Sequence, residues 1–273
     1  MTMTRYKTSE ELLSAYYASK GEAIPARQAE AWLRAFVLRH FKADGESMDY
    51  AESIMDRSVL DVEDVTQNFL SLDLFLDDLS EFDAQAGASV FGLADPTSGT
   101  IKVDFRAVDY QPLYRSTVMH EVAHVMLHRD RRSRAMRYSP RSPKRPYEER
   151  EADRFMAASL LPEPILYLAI ILAERQFGIE YGAAFAGANT ARGRYQWRHY
   201  YFPFFLNRLC LSRELVAVRM VQRGTFNEST FEYHRTYSIP NRWRQPAPLT
   251  FGSVATKAFN SLLRSCGTFG RHL

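Results

Sequence analysis

The segment HEVAH at residues 120–124 decides the fold that this sequence predicts. Residues four apart on an α-helix lie on one face, about one turn apart, so the two histidines are placed to bind one metal ion. Glu121, beside the first histidine, is placed to hold a metal-bound water and to take its proton. Apolar residues surround the segment, and we predict an amphipathic helix from Val118 to about Arg129.

A catalytic zinc needs a third protein ligand and an open position for water. A second helix, predicted over residues 148–161, offers carboxylates for that role. Glu149 and Asp153 are four residues apart and share a helix face. We predict Glu149 as the third ligand and Asp153 as the hydrogen-bond partner of a ligating histidine. Glu148 and Glu151 are rival ligands, although both also suit the first turn of a helix as ordinary charges.

His128 extends the histidine stripe but is not predicted to bind the same ion. Eight helical residues place it about 12 Å along the axis from His120, whereas zinc bonds to histidine are only about 2 Å long. We expect a packing role for His128, or a hydrogen bond to a ligand. The related HExxHxxGxxH pattern is absent, because Leu127 and Asp130 stand where it requires glycine and histidine, which favours a glutamate as third ligand.

The stretch before the metal helix has the pattern of a small sheet. Residues 101–106 alternate apolar and charged side chains, which is typical of a half-buried strand. Two short apolar stretches at 72–79 and 89–93 precede it, and Asp95–Gly99 is a turn signal. We predict an antiparallel sheet, and we expect its 101–105 strand to be an exposed edge that binds an extended peptide.

The ends of the chain have mainly helical patterns. Residues 1–60 are predicted to be helical, with Trp32 and Phe36 on an apolar stripe that faces a core. Residues from 165 onward are predicted to be mostly helical, with an aromatic-rich stretch at 195–205 that we assign to a core. Ser212 is a capping signal for a further helix.

The composition is that of an ordinary globular protein, with 46% hydrophobic residues and 35 basic against 32 acidic side chains. This balance argues neither for nor against a nucleic-acid partner. Cys210 and Cys266 lie too far apart to be a metal-ligand pair, and we predict thiols in a reducing compartment. Neither the N-terminus nor the longest apolar run, Ile165–Ala173, has the pattern of a signal peptide or membrane span. We predict a cytoplasmic protein without a membrane partner.

The segment 131–147 contains seven basic residues, three prolines and no acidic residue. Such a composition is typical of a solvated loop. The alternative is an electrostatic clamp for an acidic substrate or for DNA.

Several segments together resemble the ImmA/IrrE family of metallopeptidases over residues 55–224. They are SVLDVEDVTQNFLSLDLFL (58–76), GTIKVDF (99–105), RSTVMHEVAHVMLH (115–128), EEREADRFMAASLLP (148–162) and LSRELVAVRMVQRG (211–224). Arg115 and Thr117 occupy positions where this family usually has these residues. Ser116 and Met119 depart from its pattern, as does the long basic segment between the two helices.

The resemblance implies a zincin-like α+β fold, in which a small sheet lies beside the HExxH helix and a second metal-ligand helix. It implies that His120, His124 and Glu149 bind Zn²⁺ and that Glu121 is the general base. A site of nitrogen and oxygen donors also accepts other divalent ions. The implied organisation is a helical N-terminal extension (1–54), a metallopeptidase domain (55–224) and a C-terminal extension of unknown role (225–273).

The resemblance also implies a protein substrate, because members of this family often cut or inactivate a helix-turn-helix repressor in stress response or mobile-element control. Tyr114 and Tyr138 are candidate donors to the oxyanion of the reaction, although each suits packing or surface exposure better. The alternative function is a non-enzymatic regulatory module, stabilised by zinc, that binds DNA or protein. A structural zinc site has no need of Glu121, which favours the enzyme.

Overall fold

The computed structural model describes residues 5–39, 44–83, 89–128 and 147–236. The chain forms two compact units, the first built from Met1–Ile24 and Val59–Leu160 and the second from Pro25–Ser58 and Leu161–Leu273. The boundaries of these units differ from those of the predicted segments 1–54, 55–224 and 225–273, which stay a prediction.

The described residues form an α+β structure of eleven helices and three strands. In chain order these are α1 Ser9–Ser19, α2 Pro25–Leu38, α3 Gly45–Arg57, β1 Asp73–Asp77, β2 Gly92–Asp95, β3 Thr100–Asp104, α4 Gln111–Leu127, α5 Tyr147–Leu160, α6 Glu163–Gln176, α7 Ala183–Ala186, α8 Ala191–Gln196, α9 Phe202–Leu209, α10 Arg213–Gln222 and α11 Glu228–Thr236. Two π-helical segments, Asp64–Phe69 and Trp197–Tyr201, join the neighbouring elements.

The sheet of the first unit is mixed, in the order β1-β3-β2. Strand β1 pairs parallel with β3, with Asp73 opposite Thr100. Strand β2 pairs antiparallel with β3, with Gly92 opposite Val103. The prediction of a purely antiparallel sheet is therefore wrong, and so is the prediction that the 101–105 strand is an edge, because β3 is central. Alternation in a sequence reveals a strand and its faces, but not the direction of its neighbours.

The predicted alternation along β3 itself is confirmed. Ile101 and Val103 are completely buried, whereas Lys102 between them is exposed. Phe105, the next apolar residue in the pattern, is 53% exposed. It lies beyond the end of the strand, in the 3₁₀ turn Phe105–Ala107, where the two-residue period no longer applies.

Helix α4 carries the HEVAH segment and begins seven residues before the predicted start, at Gln111. Pro112 lies in its first turn, where the missing N–H of proline costs no hydrogen bond. At its other end, the Arg5 side chain donates hydrogen bonds to the carbonyl oxygens of Met126 (3.2 Å) and Leu127 (3.1 Å). The chain before α1 thus satisfies carbonyl groups that the end of a helix leaves unpaired.

Tyr114 also lies on α4, and its hydroxyl donates a 2.7 Å hydrogen bond to the Glu63 carboxylate. The side chain is only 6% exposed. This bond ties the helix to the segment that precedes β1 and gives Tyr114 the packing role that the sequence favoured; its candidate role as an oxyanion donor stays a prediction. Tyr138, the other candidate, lies outside the described residues.

The second unit is helical and is packed around aromatic side chains. Trp197, Tyr201 and Phe205 are each less than 2% exposed, which confirms the core position predicted for most of the aromatic-rich stretch at 195–205. Tyr195, at 45% exposed, is an exception. The predicted helical character of the first 60 residues is also confirmed for the described ranges 5–39 and 44–60, which contain α1 to α3.

Glu174 in α6 is a buried carboxylate within this helical unit. It accepts hydrogen bonds from the backbone N–H groups of Gly182 (2.9 Å) and Ala184 (3.1 Å) and from the Tyr201 hydroxyl (3.1 Å). Burial raises its pKa to about 8, against the opposing effect of these hydrogen bonds. The carboxyl group therefore fixes the chain between α6 and α7.

In the part of the chain that the structure describes, no single helix is long and apolar enough to cross a membrane; two consecutive helices, Tyr147–Leu160 and Glu163–Gln176, reach that length and composition only when they are counted together across a bend.

Candidate metal centre

The two histidines of HEVAH project from one face of α4, and their Nε2 atoms lie 3.1 Å apart. Glu149 on α5 completes the group. Its Oε2 lies 3.3 Å from Nε2 of His120, and its Oε1 lies 3.4 Å from Nε2 of His124. The structure thus brings together the three side chains that the sequence proposes as ligands, and the possible ligand atoms all lie within 4.8 Å of one another.

The spacing of these atoms fits a zinc ion. Tetrahedral coordination with bonds of about 2.0–2.1 Å separates neighbouring ligand atoms by about 3.3 Å. The two Nε2 atoms are 3.1 Å apart, and each has its own oxygen of Glu149 nearby, at 3.3 Å from His120 and at 3.4 Å from His124, so each of these separations lies close to that value. Two imidazoles and one carboxylate are also a donor set known from catalytic zinc sites, which keep a fourth position for water.

Asp153 lies one turn after Glu149 on α5 and contacts the far side of the His120 ring. Its Oδ1 is 3.1 Å from Nδ1 of His120. A carboxylate at this nitrogen fixes the ring orientation and the tautomer that leaves Nε2 available for a metal. The i,i+4 spacing of the two acids therefore places one beside each nitrogen of His120.

The electrostatics of the group favour a positive charge between its members. Burial lowers the pKa of His120, but hydrogen bonds to Asp153 and Glu149 outweigh that effect and raise it to about 10. Burial raises the pKa of Glu149, but its contacts with the two histidines reverse the shift and hold the pKa well below its usual range. A carboxylate that stays ionised while it is buried is suited to bind a cation.

Glu121 is buried beside this group and points toward strand β2. Burial raises the pKa of its carboxyl group, while the nearby His120 and His124 oppose the shift. The backbone N–H of Ala94 also opposes the shift. A raised pKa brings a carboxylate closer to the range in which it works as a general base near neutral pH.

Gly92 is the residue that lets β2 come this close to α4. A Cβ atom at this position would lie 2.6 Å from Oε1 of Glu121 and 2.7 Å from Cγ2 of Thr117. Any side chain here would therefore displace the carboxylate or the strand. Gly92 is not among the residues predicted from the sequence, although an isolated glycine in a strand pattern is a known signal for close approach of a backbone.

The outer edge of β2, which is the edge that does not pair with β3, lies beside Glu121. The carbonyl of Phe91 accepts a hydrogen bond from the backbone N–H of Asp104 and so points toward β3. Because backbone groups alternate in direction along an edge strand, those of Gly92 and Ala94 point away from β3. Within the described residues, no strand pairs with this edge.

The rival third ligands are placed differently. Among the described residues, the group that could hold a metal contains neither Glu148 nor Glu151. Glu151 contacts His128 instead, with its Oε2 3.2 Å from Nε2 of that ring. Of the two predicted roles of His128, packing or a hydrogen bond to a ligand, the structure shows the hydrogen bond, because the Nδ1 atom of His128 lies 3.0 Å from Nδ1 of His124. The basic segment 131–146 lies outside the described residues.

The comparison with protein families identifies this region. Residues 109–180 match the family model of the IrrE N-terminal-like domain, a peptidase family. The match includes both helices of the metal centre and is narrower than the span of 55–224 over which the sequence resembles the ImmA/IrrE family. No curated protein and no solved structure matches the chain. Residues 109–180 are thus similar to the IrrE N-terminal-like peptidase family, and this match, with the His-His-Glu group inside it, supports a metallopeptidase-type function.

Proposed function

We propose that this protein is a zinc-dependent peptidase that cleaves a regulatory protein, such as a helix-turn-helix repressor that controls stress-response or mobile-element genes. The observation that carries the enzymatic part is the His120–His124–Glu149 group with Glu121 buried beside it. The regulatory substrate is supported by the family resemblance alone.

In this proposal, the three metal ligands come from two helices. His120 and His124 offer their Nε2 atoms from α4, and Glu149 offers a carboxylate oxygen from α5. A zinc ion supplies Lewis-acid activation of a water and of the substrate carbonyl. Mn²⁺ and other divalent ions also accept nitrogen and oxygen donors, so the donor set does not select zinc by itself.

Glu121 acts as the general base in this proposal. Its carboxylate is buried beside the metal ligands, and its raised pKa suits proton transfer near neutral pH. It takes a proton from the attacking water and passes that proton to the nitrogen of the leaving amine. The intact glutamate separates this reading from a non-enzymatic module, in which the metal would only stabilise the fold.

The substrate binds as an extended segment along the outer edge of β2. The backbone groups of Gly92 and Ala94 face this edge, beside Glu121. Addition of a strand to a sheet edge uses main-chain hydrogen bonds and places the peptide backbone in a fixed register. This assignment replaces the 101–105 strand, which is covered on both sides by β1 and β2.

The test of the enzymatic function is Glu121→Gln, with Glu148→Gln as the control that removes a carboxylate from the neighbouring helix. Zinc content and cleavage of denatured casein are measured for both variants and for the wild type. We expect Glu121→Gln to keep the zinc of the wild type and to lose cleavage, and Glu148→Gln to keep both. Cleavage by Glu121→Gln at the wild-type rate would remove Glu121 from the role of base.

The regulatory substrate is tested separately. The protein is co-expressed with a helix-turn-helix protein encoded by a neighbouring gene, and the products are examined by mass spectrometry. We expect fragments of the regulator with the wild type and the intact regulator with Glu121→Gln. An intact regulator beside a wild type that cleaves casein would contradict this substrate and leave the peptidase activity standing.

We also propose, as a secondary role, that the basic segment 131–147 contacts DNA near the regulator. The support is its charge, seven basic residues without an acidic one. Binding through phosphate contacts weakens steeply with salt. A titration of a DNA duplex at about 20 mM salt should show binding that about 200 mM salt abolishes. No binding at the lower salt concentration would discard this role.

A further inference from the structure

His128 is buried against the outer side of the metal centre, at the C-terminal end of α4. The side chain is 8% exposed, and the backbone N–H still bonds to the carbonyl of His124 (3.0 Å). However, its φ of −117° and ψ of 15° depart from helical values. The residue therefore ends the helix, and its ring lies against His124 with the two Nδ1 atoms 3.0 Å apart.

When His124 binds a metal, the hydrogen bond between these two rings can run in only one direction. Its Nε2 atom faces His120 and Glu149 and then carries no proton. A neutral imidazole has one proton, which must be on Nδ1 of His124. That Nδ1–H donates to Nδ1 of His128, because two acceptors or two donors cannot form a hydrogen bond.

The direction of this hydrogen bond also determines the direction of the next one, between His128 and the carboxylate of Glu151. Since Nδ1 of His128 accepts, its proton is on Nε2, 3.2 Å from Oε2 of Glu151. The Nε2–H group therefore donates to the carboxylate. The other oxygen of Glu151 accepts a 2.8 Å hydrogen bond from the Tyr147 hydroxyl. Donors and acceptors are thus satisfied along the path from the metal ligand to Glu151.

We propose that Glu151, acting through His128, is a positioning residue for the metal ligand His124. The inference rests on the proposed metal binding. Asp153 supports the other histidine ligand directly, by its 3.1 Å contact with Nδ1 of His120. The centre thus has two carboxylate supports, one in contact with a ligand and one relayed through a second imidazole.

The geometry explains why the support for His124 needs a relay. Asp153 lies four residues after Glu149 on α5 and reaches His120 from there. Glu151 lies two residues after Glu149, and residues two apart on a helix do not share a face. Its carboxylate contacts His128, which extends the reach toward His124 by the width of one imidazole ring. Without His128, the partly buried Nδ1–H of His124 would lose its acceptor, which is unfavourable.

The experiment measures metal affinity and not only activity. Apo-protein is titrated with Co²⁺, whose visible spectrum reports ligand geometry, and zinc affinity is measured by competition with a chromophoric chelator. The variants are Glu151→Ala, Glu151→Gln, which retains an acceptor oxygen, and Glu148→Gln as a control that removes one charge from the same helix. Loss of an outer hydrogen-bond partner of a ligand typically weakens metal binding about 10- to 100-fold.

We expect Glu151→Ala to weaken zinc binding by about 10-fold or more and to change the Co²⁺ spectrum. Glu151→Gln should recover most of the affinity, and Glu148→Gln should match the wild type. His128→Phe fills the same space without an acceptor and should weaken binding similarly. The double variant His128→Phe/Glu151→Ala should lose no more than the larger single loss, because both changes break one path.

The outcomes separate this inference from the proposed function. A wild type that binds no stoichiometric metal would overturn both. A wild type that binds zinc, with Glu151→Ala unchanged in affinity and spectrum, would overturn only the relay. Additive losses in the double variant would show that Glu151 does not act through His128, and they would overturn the relay as well.

Discussion

Glu149 in the first unit and Glu174 in the second are both buried carboxylates, but their partners differ in kind. Glu149 contacts two imidazole nitrogens, and these contacts hold its pKa well below the usual range. Glu174 accepts hydrogen bonds from two backbone N–H groups and a tyrosine hydroxyl, and burial raises its pKa to about 8. Burial alone therefore does not mark a functional acid.

The partners of the two glutamates differ in whether they can bind anything in addition to the carboxylate. The imidazoles around Glu149 have lone pairs that a metal ion can share with the carboxylate. The N–H and O–H groups around Glu174 are donors that have no second use once they are paired. The first glutamate is therefore part of a candidate site, and the second fixes the chain between α6 and α7.

The largest expected effect is the loss of metal binding in Glu149→Gln. The amide is a poor zinc ligand and leaves only two imidazoles, so we expect zinc affinity to fall about 1000-fold, beyond the 10- to 100-fold typical of an outer partner. Peptidase activity should be lost with it. Glu174→Gln is the matched control and should retain metal affinity within about twofold. Zinc affinity is measured by chelator competition. Equal losses of affinity in both variants would contradict the assignment of Glu149, and not Glu174, to the metal centre.

The next effect is on stability, and it concerns the other glutamate. Glu174→Ala leaves the N–H groups of Gly182 and Ala184 and the Tyr201 hydroxyl without their acceptor. Each unsatisfied buried group costs about 1–3 kcal/mol, so we expect the free energy of unfolding to fall by about 3 kcal/mol in urea titrations. The exposed Glu214→Ala in α10 should change it by less than about 1 kcal/mol. A change that small in Glu174→Ala would show that the carboxyl group does not fix this segment.

A smaller effect is expected where β2 meets the proposed base. In Gly92→Ala the new methyl group competes for space with the Glu121 carboxylate. Displacement of a catalytic group by about 1 Å can cost about 100-fold in rate, and we expect a loss of about 10- to 100-fold in peptidase activity with zinc affinity unchanged. Gly45→Ala, which meets no atom within 4 Å, is the control. Full activity of Gly92→Ala would show that the base tolerates a shift of the strand.

The smallest effect, when it is counted per pH unit, is a dependence of stability on pH. The raised pKa of Glu174 means that the folded protein binds a proton that the unfolded chain releases, between its usual pKa of 4.5 and about 8. The contribution is therefore fully present below about pH 4.5 and is lost as the pH rises toward 8, by about 1 kcal/mol per pH unit within that window. Glu174→Gln should remove this slope. Parallel profiles for wild type and Glu174→Gln, from urea titrations at pH 5 to 8, would contradict the assigned shift.

The sequence predicts the elements of the metal centre better than the sheet beside it. Helical spacing alone places the two histidines on one face, and the spacing of Glu149 and Asp153 predicts which acids of α5 share a face. These are local relations that the geometry of one helix determines. The family match at residues 109–180 includes the same two helices.

The features that the sequence does not predict depend on contacts between distant segments. The parallel pairing of β1 with β3 is one, because a two-residue period is the same for both strand directions. The contact of His128 with Glu151 is another, because these residues lie 23 positions apart on different helices. The role of Glu174 is a third, since its partners lie 8 to 27 residues away.

The most direct test of the central claim is the zinc X-ray absorption spectrum of the protein loaded with one ion per chain. We predict only nitrogen and oxygen neighbours at about 2.0–2.1 Å, with the scattering pattern of two imidazoles. His124→Ala should remove one imidazole from that pattern. A sulfur neighbour at about 2.3 Å would contradict the assignment of the site to His120, His124 and Glu149.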